Sequence, residues 1–519
     1  MIQFFNKKFF ILFLFPLILG GMCVLSFEPF NFFFVNFFSF CSLFFLLIYI
    51  KKKSKSIYRK KPFVKNLLLL GTSYGFGFFF FGFYWIAYSL TFDNSFKFLI
   101  PFALILIPLF LSLFFSLPIM LVGSLVDKNL SSIFLISLAF SIADFLRSIV
   151  LTGFPWNLWL YSFSWSIESL QILSSIGTFS LNLLIIILFF IPSALFFKNK
   201  AKYFFIIFFI VLFISNYFYG SHKINSTSYN QEEKINFKIV SGGMSLSEFR
   251  DKEQVTSRLI KFSDPDREKK TIFVWPEGVF FGENFNNLED VKILFKKNFS
   301  KNHLIVFGVN TESKEDGNSI PKYFNSMVVV DNNFNIVSKY HKKKLVPFGE
   351  FLPFENFLSK LGIKKVTPGY SSFSKGNNNS VINLKFDKKN INFLALICYE
   401  VIFPHLAENK KNQFNFIINI SEDAWFGESI GPYQHFSKAI FRSIDSETFI
   451  VRSANKGVSA FISPHGRILK SLRPNEAGNI EMELPLLEVN KNGRKKSLIF
   501  LSLLITFFFT FFLLRKFKL

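Results

Sequence analysis

The chain has 519 residues, half of them hydrophobic, with a mean hydropathy of +0.35 and a formal charge of +24. So apolar a composition excludes an ordinary soluble globular protein. The charge does not argue for nucleic acid, because much of the lysine clusters beside apolar spans, where anionic lipid headgroups are the simpler partner.

In chain order, eight apolar stretches are wide enough to cross a bilayer: 9–26, 28–50, 66–90, 97–125, 132–151, 178–197, 203–219 and 498–514. The first is not read as a cleavable signal, since a second span follows at once and no small-residue cleavage site stands out. The 80 phenylalanines fit the codon drift of an AT-rich genome and carry little functional information. Basic residues in short loops set the orientation. One side carries Lys7, Lys8, a cluster between 51 and 65, Lys128, Lys198, Lys200, Lys202, Arg515, Lys516 and Lys518, whereas the short loops of the other hold only Lys97. The first side is therefore expected in the cytoplasm, and residues 220–497 outside it. The expected organisation is a membrane domain of about seven helices (1–219), an extracytoplasmic domain (220–497) and a last transmembrane helix with a basic tail (498–519).

Residues 220–497 read as an α/β domain, long enough to bury its own core. Short β-like runs recur at 236–240, 271–275, 303–308, 326–331, 393–398, 415–420, 448–453 and 458–463. Helical patterns cover 284–299 and 431–447. The Asn/Lys-rich stretches at 375–380 and 408–413 read as surface loops. Cys398 is the only cysteine outside the apolar spans, so no disulfide forms within this domain.

Three residues of this domain carry a possible chemistry. Glu277 follows the apolar run TIFVW and a proline, Lys342 sits in SKYHKKKLVPFGEF, and Cys398 ends LALIC. Together they suit acyl transfer: a thiol to attack a carbonyl, a carboxylate to take its proton and a lysine to hold the oxyanion. Each also has a plain alternative: a solvated loop carboxylate, a solvated charge run, and an inert core thiol. No His/Cys/Asp/Glu cluster has metal-ligand spacing, and no cofactor is indicated. The aromatics Phe348, Phe351 and Phe354 crowd the loop around Glu350, as a lipid-facing entrance or as a core-packing turn.

The three strings in this order resemble the carbon–nitrogen hydrolase, or nitrilase, superfamily with its Glu–Lys–Cys triad. The stretches ADFLRSIVLTGFPWNLWLYSFS (143–164), YHKKKLVPFGEFLPFE (340–355), ICYE (397–400), NISEDAWFGESIGPYQHF (419–436) and RSANKGVSAFISPHGRI (452–468) are similar to the bacterial apolipoprotein N-acyltransferase family. The resemblance implies an α-β-β-α sandwich attached to a helix bundle, with the active domain in the periplasm of an inner-membrane protein. It implies a phospholipid acyl donor, typically phosphatidylethanolamine, a diacylglyceryl apolipoprotein as acceptor, a monomer, and no nucleic acid. It assigns Glu277 as base, Lys342 as oxyanion holder and Cys398 as nucleophile, with Glu350, Tyr399 and Glu400 in support. Two departures stand out. Residues 241–250 lack the tryptophan usual in the family, a place Phe249 could fill, and Gly278 follows the glutamate where a small hydroxylic residue or alanine is commoner. Two rivals keep fewer of these features: a membrane-anchored amidase for a small substrate, and a transporter with a decayed enzyme domain.

Overall fold

The computed structural model describes residues 7–53, 60–229, 233–246, 251–280, 282–313, 321–361, 365–366, 372–407, 413–487 and 496–519. Phe249, and the basic residues between 54 and 59, lie outside the described residues. The chain divides into two compact units, Met1–Ser226 with Lys495–Leu519, and Thr227–Arg494.

In the first unit eight helices among the described residues are long and apolar enough to cross a membrane: Lys7–Ser26, Phe34–Lys53, Phe63–Thr91, Asn94–Leu125, Leu130–Ile149, Thr178–Phe196, Ala201–Ser226 and Lys496–Lys516. Leucine, isoleucine and aromatic rings fill the space between them. Trp159 meets Phe40 at 4.6 Å and Phe78 at 4.9 Å between ring centroids. One buried ion pair lies among them. Arg147 donates to Asp144 (2.9 Å) and to the Phe154 carbonyl (2.7 Å), and Asn182 donates to the other Asp144 oxygen (2.9 Å). Asn182 in turn accepts the Leu160 amide (3.1 Å). A charge in apolar surroundings persists only when paired and hydrogen-bonded. Here the pairing ties the 150–163 loop to two spans, which gives the motif at 143–164 a structural reason.

The second unit is built on two six-stranded sheets. Its strands are β1 (Lys234–Ser241), β2 (Thr271–Val274), β3 (His303–Ser313), β4 (Lys322–Val330), β5 (Ile336–His341), β6 (Val381–Phe386), β7 (Lys389–Ile397), β8 (Phe416–Glu422), β9 (Phe449–Asn455), β10 (Ser459–Ile462), β11 (Ile468–Leu472) and β12 (Gly478–Pro485). One sheet runs β12-β1-β2-β3-β4-β5 and the other β11-β10-β9-β8-β7-β6. Each has a parallel trio at its centre, β1–β2–β3 or β7–β8–β9, with antiparallel strands outside. Apolar side chains from both sheets, among them Phe237, Ile272, Phe393 and Phe416, form the core between them. The helices Lys252–Ser263 and Glu289–Asn298 cover the far side of the first sheet through a second core that includes Trp275 and Phe295. The amphipathic helix Gly431–Ser446 packs against β9 and β10 of the other sheet. The layering is α-β-β-α, as expected.

All eight β-like runs read from the sequence are strands, and both helical patterns are helices. The strands not anticipated are β5, β6, β11 and β12, which are the outermost strand at each side of both sheets. An edge strand is half-solvated and lacks a continuous apolar run: β11 has four of five residues exposed.

The central core sets the stability of this unit. Phe237 is fully buried with its ring 5.1 Å from that of Phe416. Phe237→Ala is expected to cost about 3–5 kcal/mol, whereas Ile293→Ala, at a side chain 71% exposed, stays within about 0.5 kcal/mol. Thermal unfolding of the purified protein in detergent checks this. Equal midpoints for the two variants would contradict the placement of the core.

Candidate active site

The three sequence-predicted residues each follow a strand of the second unit. Glu277 stands three residues beyond β2, Lys342 directly follows β5, and Cys398 directly follows β7. β2 and β7 each end a parallel pairing, and the carboxyl ends of parallel strands are where open α/β sheets leave a crevice for ligands.

Sequence dictates the local geometry. The turn after β2 lies directly on β3: the Trp275 amide donates to the Val306 carbonyl (2.8 Å), and the Gly308 amide donates to the Pro276 carbonyl (3.2 Å). A Cβ on Gly308 would come within 2.7 Å of the Glu277 Cα, so only glycine lets the backbones approach this closely. The departure at Gly278 also has a reason, since its φ of +67° strains any residue with a side chain.

The centre of the site is one ammonium between two buried carboxylates. The Lys342 Nζ donates to Glu277 Oε1 at 3.2 Å and to Glu350 Oε1 at 2.8 Å. The Asn325 amide donates to the same two oxygens at 2.8 and 2.6 Å. The remaining oxygens are also fixed: Glu277 Oε2 accepts the Glu422 amide (3.1 Å) and Glu350 Oε2 accepts the Val346 amide (2.8 Å). Burial works against the charge on Lys342, but Glu277 and Glu350 overcome it and hold its pKa above the ordinary lysine value. The lysine therefore stays cationic throughout the working range.

Cys398 sits at φ +47°, a backbone conformation that residues other than glycine rarely adopt and that occurs where surrounding structure enforces it. It keeps a partly exposed edge, whereas Glu277 and Lys342 are buried. Its thiol is pushed well above the usual value, first by desolvation and next by Glu277, with Lys342 opposing. It rests as a thiol and needs a base.

The supporting residues fall into place differently. Glu350 touches the lysine directly. Glu400 holds the backbone just after the lysine: its carboxylate accepts the amides of Lys343 (2.8 Å), Lys344 (3.1 Å) and Ile397 (2.9 Å) and the Tyr340 hydroxyl (2.8 Å). It thereby fastens the lysine loop to the turn that carries Cys398. Tyr399 is buried, with its ring 5.0 Å from Phe403. In the loop over Glu350, Phe348 and Phe354 are 47% and 75% exposed and Phe351 is half-buried. Both exposed residues have positive φ, +61° and +51°. The loop backbone is nevertheless held, by the Phe348 amide on the Phe351 carbonyl and the Val366 amide on the Phe348 carbonyl, each 2.8 Å.

Sequence reasoning missed a second cluster behind the nucleophile. Asp423 accepts from Arg452 (2.8 Å) and from Ser421 (2.6 Å), and His435 Nδ1 lies 2.9 Å from Asp423 Oδ1. The pKa of Asp423 is lowered to about 2: burial opposes this, and Arg452 and His435 bring it about. Cys398, Asp423 and His435 have candidate ligand atoms within 4.8 Å of one another. A metal fits them poorly, because a guanidinium already holds the carboxylate and His435 Nε2 faces the Cys398 carbonyl (3.2 Å). The sequence signal for this cluster lies in the strings at 419–436 and 452–468, which carry Asp423, His435 and Arg452.

A buried Glu–Lys–Glu array beside a cysteine on a strained turn, on an α-β-β-α sandwich, defines a carbon–nitrogen hydrolase type of domain. A family model described as carbon-nitrogen hydrolase matches residues 263–491, and one described as the apolipoprotein N-acyltransferase N-terminal domain matches residues 19–191. The apolipoprotein N-acyltransferase of Rickettsia prowazekii (strain Madrid E) is 31% identical over 90% of this chain and 91% of its own. Those of Allorhizobium ampelinum (29%, 88% and 87%) and Brucella suis (28%, 90% and 88%) are similar over nearly the same lengths. The chain belongs to the apolipoprotein N-acyltransferase family. It is a multi-pass membrane protein and an acyltransferase.

Two predictions follow from this geometry. Lys342→Ala leaves Glu277 and Glu350 facing each other without their shared cation and is expected to lower acylation by at least about 10²–10³-fold, whereas Lys343→Ala and Lys344→Ala remain within about threefold, as their backbone amides, not their side chains, make the contacts named above. Equal losses at all three in a lipopeptide acylation assay would contradict the assignment. The raised thiol pKa means less thiolate at any given pH. Alkylation of Cys398 by iodoacetamide should keep climbing to about pH 10, past the range where an ordinary thiol of pKa about 8.5 levels off. A plateau below about pH 8 would reveal a preformed thiolate.

Proposed function

We propose that the protein moves an acyl chain from a phospholipid, phosphatidylethanolamine foremost, to the N-terminal amine of a diacylglyceryl-cysteine apolipoprotein, through a thioester on Cys398. The observation that carries this reading is the shared contact of Lys342 with Glu277 and Glu350 beside a cysteine in a strained turn.

Glu277 takes the thiol proton as the sulfur attacks the ester carbonyl of the donor. Lys342 and a backbone amide at the Cys398 turn receive the negative charge that develops on the carbonyl oxygen. The intermediate collapses, the glycerol oxygen leaves with the proton from Glu277, and lysophospholipid departs. The free amine of the acceptor then attacks the thioester while Glu277 takes a proton from its nitrogen. Collapse of the second intermediate forms the amide and expels the sulfur, which regains that proton. Glu350 keeps the lysine in place through both halves. The exposed rings of Phe348 and Phe354 are the lipid contact, and an amidase acting on a small soluble substrate has no use for them.

The reading also requires the second unit to face the periplasm, which the loop-charge bias supports. A fluorescent reporter that matures only in the cytoplasm, fused after Asn225, should stay dark. A bright reporter there would overturn the orientation and the lipoprotein role with it. In a lipopeptide acylation assay with purified protein, Cys398→Ala should be inactive while keeping its thermal unfolding midpoint. Full activity of that variant would remove the cysteine from the mechanism.

A further inference from the structure

We propose that His435 is a positioning residue for the nucleophile turn: it holds the Cys398 carbonyl, and so aims the amide of the next peptide at the reacting carbonyl. The inference rests on the acyl-transfer reading and concerns residues that reading does not use.

The Cys398 carbonyl accepts from His435 Nε2 at 3.2 Å. A carbonyl only accepts, so the proton on that nitrogen is fixed by its partner. With its proton on Nε2 the ring presents Nδ1 as an acceptor to the Arg452 guanidinium (3.2 Å), which also holds Asp423 beside it (2.8 Å), and so the ring is kept from turning away. Arg452 is itself anchored three ways, on Asp423 (2.8 Å), on the Val458 carbonyl (3.2 Å) and on the Asn419 side chain. Asn419 donates to the carbonyl of Leu396, two residues before the nucleophile (3.0 Å). The three side chains of His435, Asp423 and Arg452 are buried. They form a buried frame against the turn.

The turn needs such a frame. Cys398 is at φ +47°, so its peptide with Tyr399 lies in an orientation the chain does not choose unaided. In a trans peptide the carbonyl and the following N–H point in opposite directions. With the carbonyl committed to His435, the Tyr399 N–H is directed away from the frame. An amide there serves an oxyanion only if its direction is set before the charge appears.

The test uses the full-length protein in detergent with two readouts. One is acylation of Cys398 by p-nitrophenyl butyrate, followed as nitrophenolate release. The other is alkylation of Cys398 by iodoacetamide, which needs the thiol and its base but builds no oxyanion. His435→Ala should lower kcat for the ester about 10- to 100-fold with KM unchanged, and leave alkylation within about twofold. His435→Gln, whose amide can donate to the same carbonyl, should recover to within about tenfold of the wild type. Wild-type ester turnover in His435→Ala would overturn the proposal. So would acylation and alkylation falling together by one factor in both variants, which marks a purely structural residue. A wild-type protein that releases no nitrophenolate defeats the acyl-transfer reading and this inference with it. One that reacts with the nitrophenyl ester but not with phospholipid removes only the lipid donor.

Discussion

One ammonium shared by two buried carboxylates governs this site. Lys342 offers a single ammonium, and both Glu277 and Glu350 lie against it. Burying any of the three alone would be costly, and burying the three together requires every remaining oxygen to find a donor. Asn325, the Glu422 amide and the Val346 amide supply those donors. Glu277, Lys342 and the loop that carries Glu350 are therefore one electrostatic unit. Glu277 can give up or take a proton only in the field of Lys342, and Lys342 remains charged because two carboxylates outweigh its desolvation.

The fold exists to bring the ends of four strands to that unit. β2 delivers Glu277, β5 delivers Lys342, β7 delivers Cys398, and β8 ends at Glu422, whose amide holds the base. Within each parallel trio the strands end on the same side, and β5, antiparallel to β4 as β4 is to β3, runs in the direction of its own sheet's trio. Glu400 then links the lysine loop to the nucleophile turn from one direction, and His435 grips the nucleophile turn from the other.

Legibility in the sequence followed burial. The inner strands are nearly continuous apolar runs and read as strands at once, as TIFV and FIINIS do. The outermost strands do not, because solvent on one side breaks the run: IVSKYH and ILKSL mix polar with apolar residues and are not among the runs read as strands. Glu277, Lys342 and Cys398 stand out in the sequence because each ends or closely follows a β-like run within a distinctive string. Asn325 does not, since its contact with Glu277 spans 48 positions and nothing local marks it. His435 and Arg452 were inside strings recognised as family-like, yet their partners lie 37 and 29 positions away. The contact of His435 is with a backbone carbonyl, a role no side-chain pattern announces. The buried Asp144–Arg147 pair in the first unit is of the same kind: the motif was visible, and its purpose, fastening a loop within apolar surroundings, required the structure.

The central claim is that Cys398 becomes acylated by phospholipid with Glu277 as its base. Mass spectrometry of the intact protein after incubation with phosphatidylethanolamine measures this directly. The account predicts a mass gain of one acyl chain, localised to the peptide carrying Cys398, labile to hydroxylamine and absent in Glu277→Gln. An unmodified Cys398 in the wild-type protein, or an adduct that forms equally fast in Glu277→Gln, would contradict it.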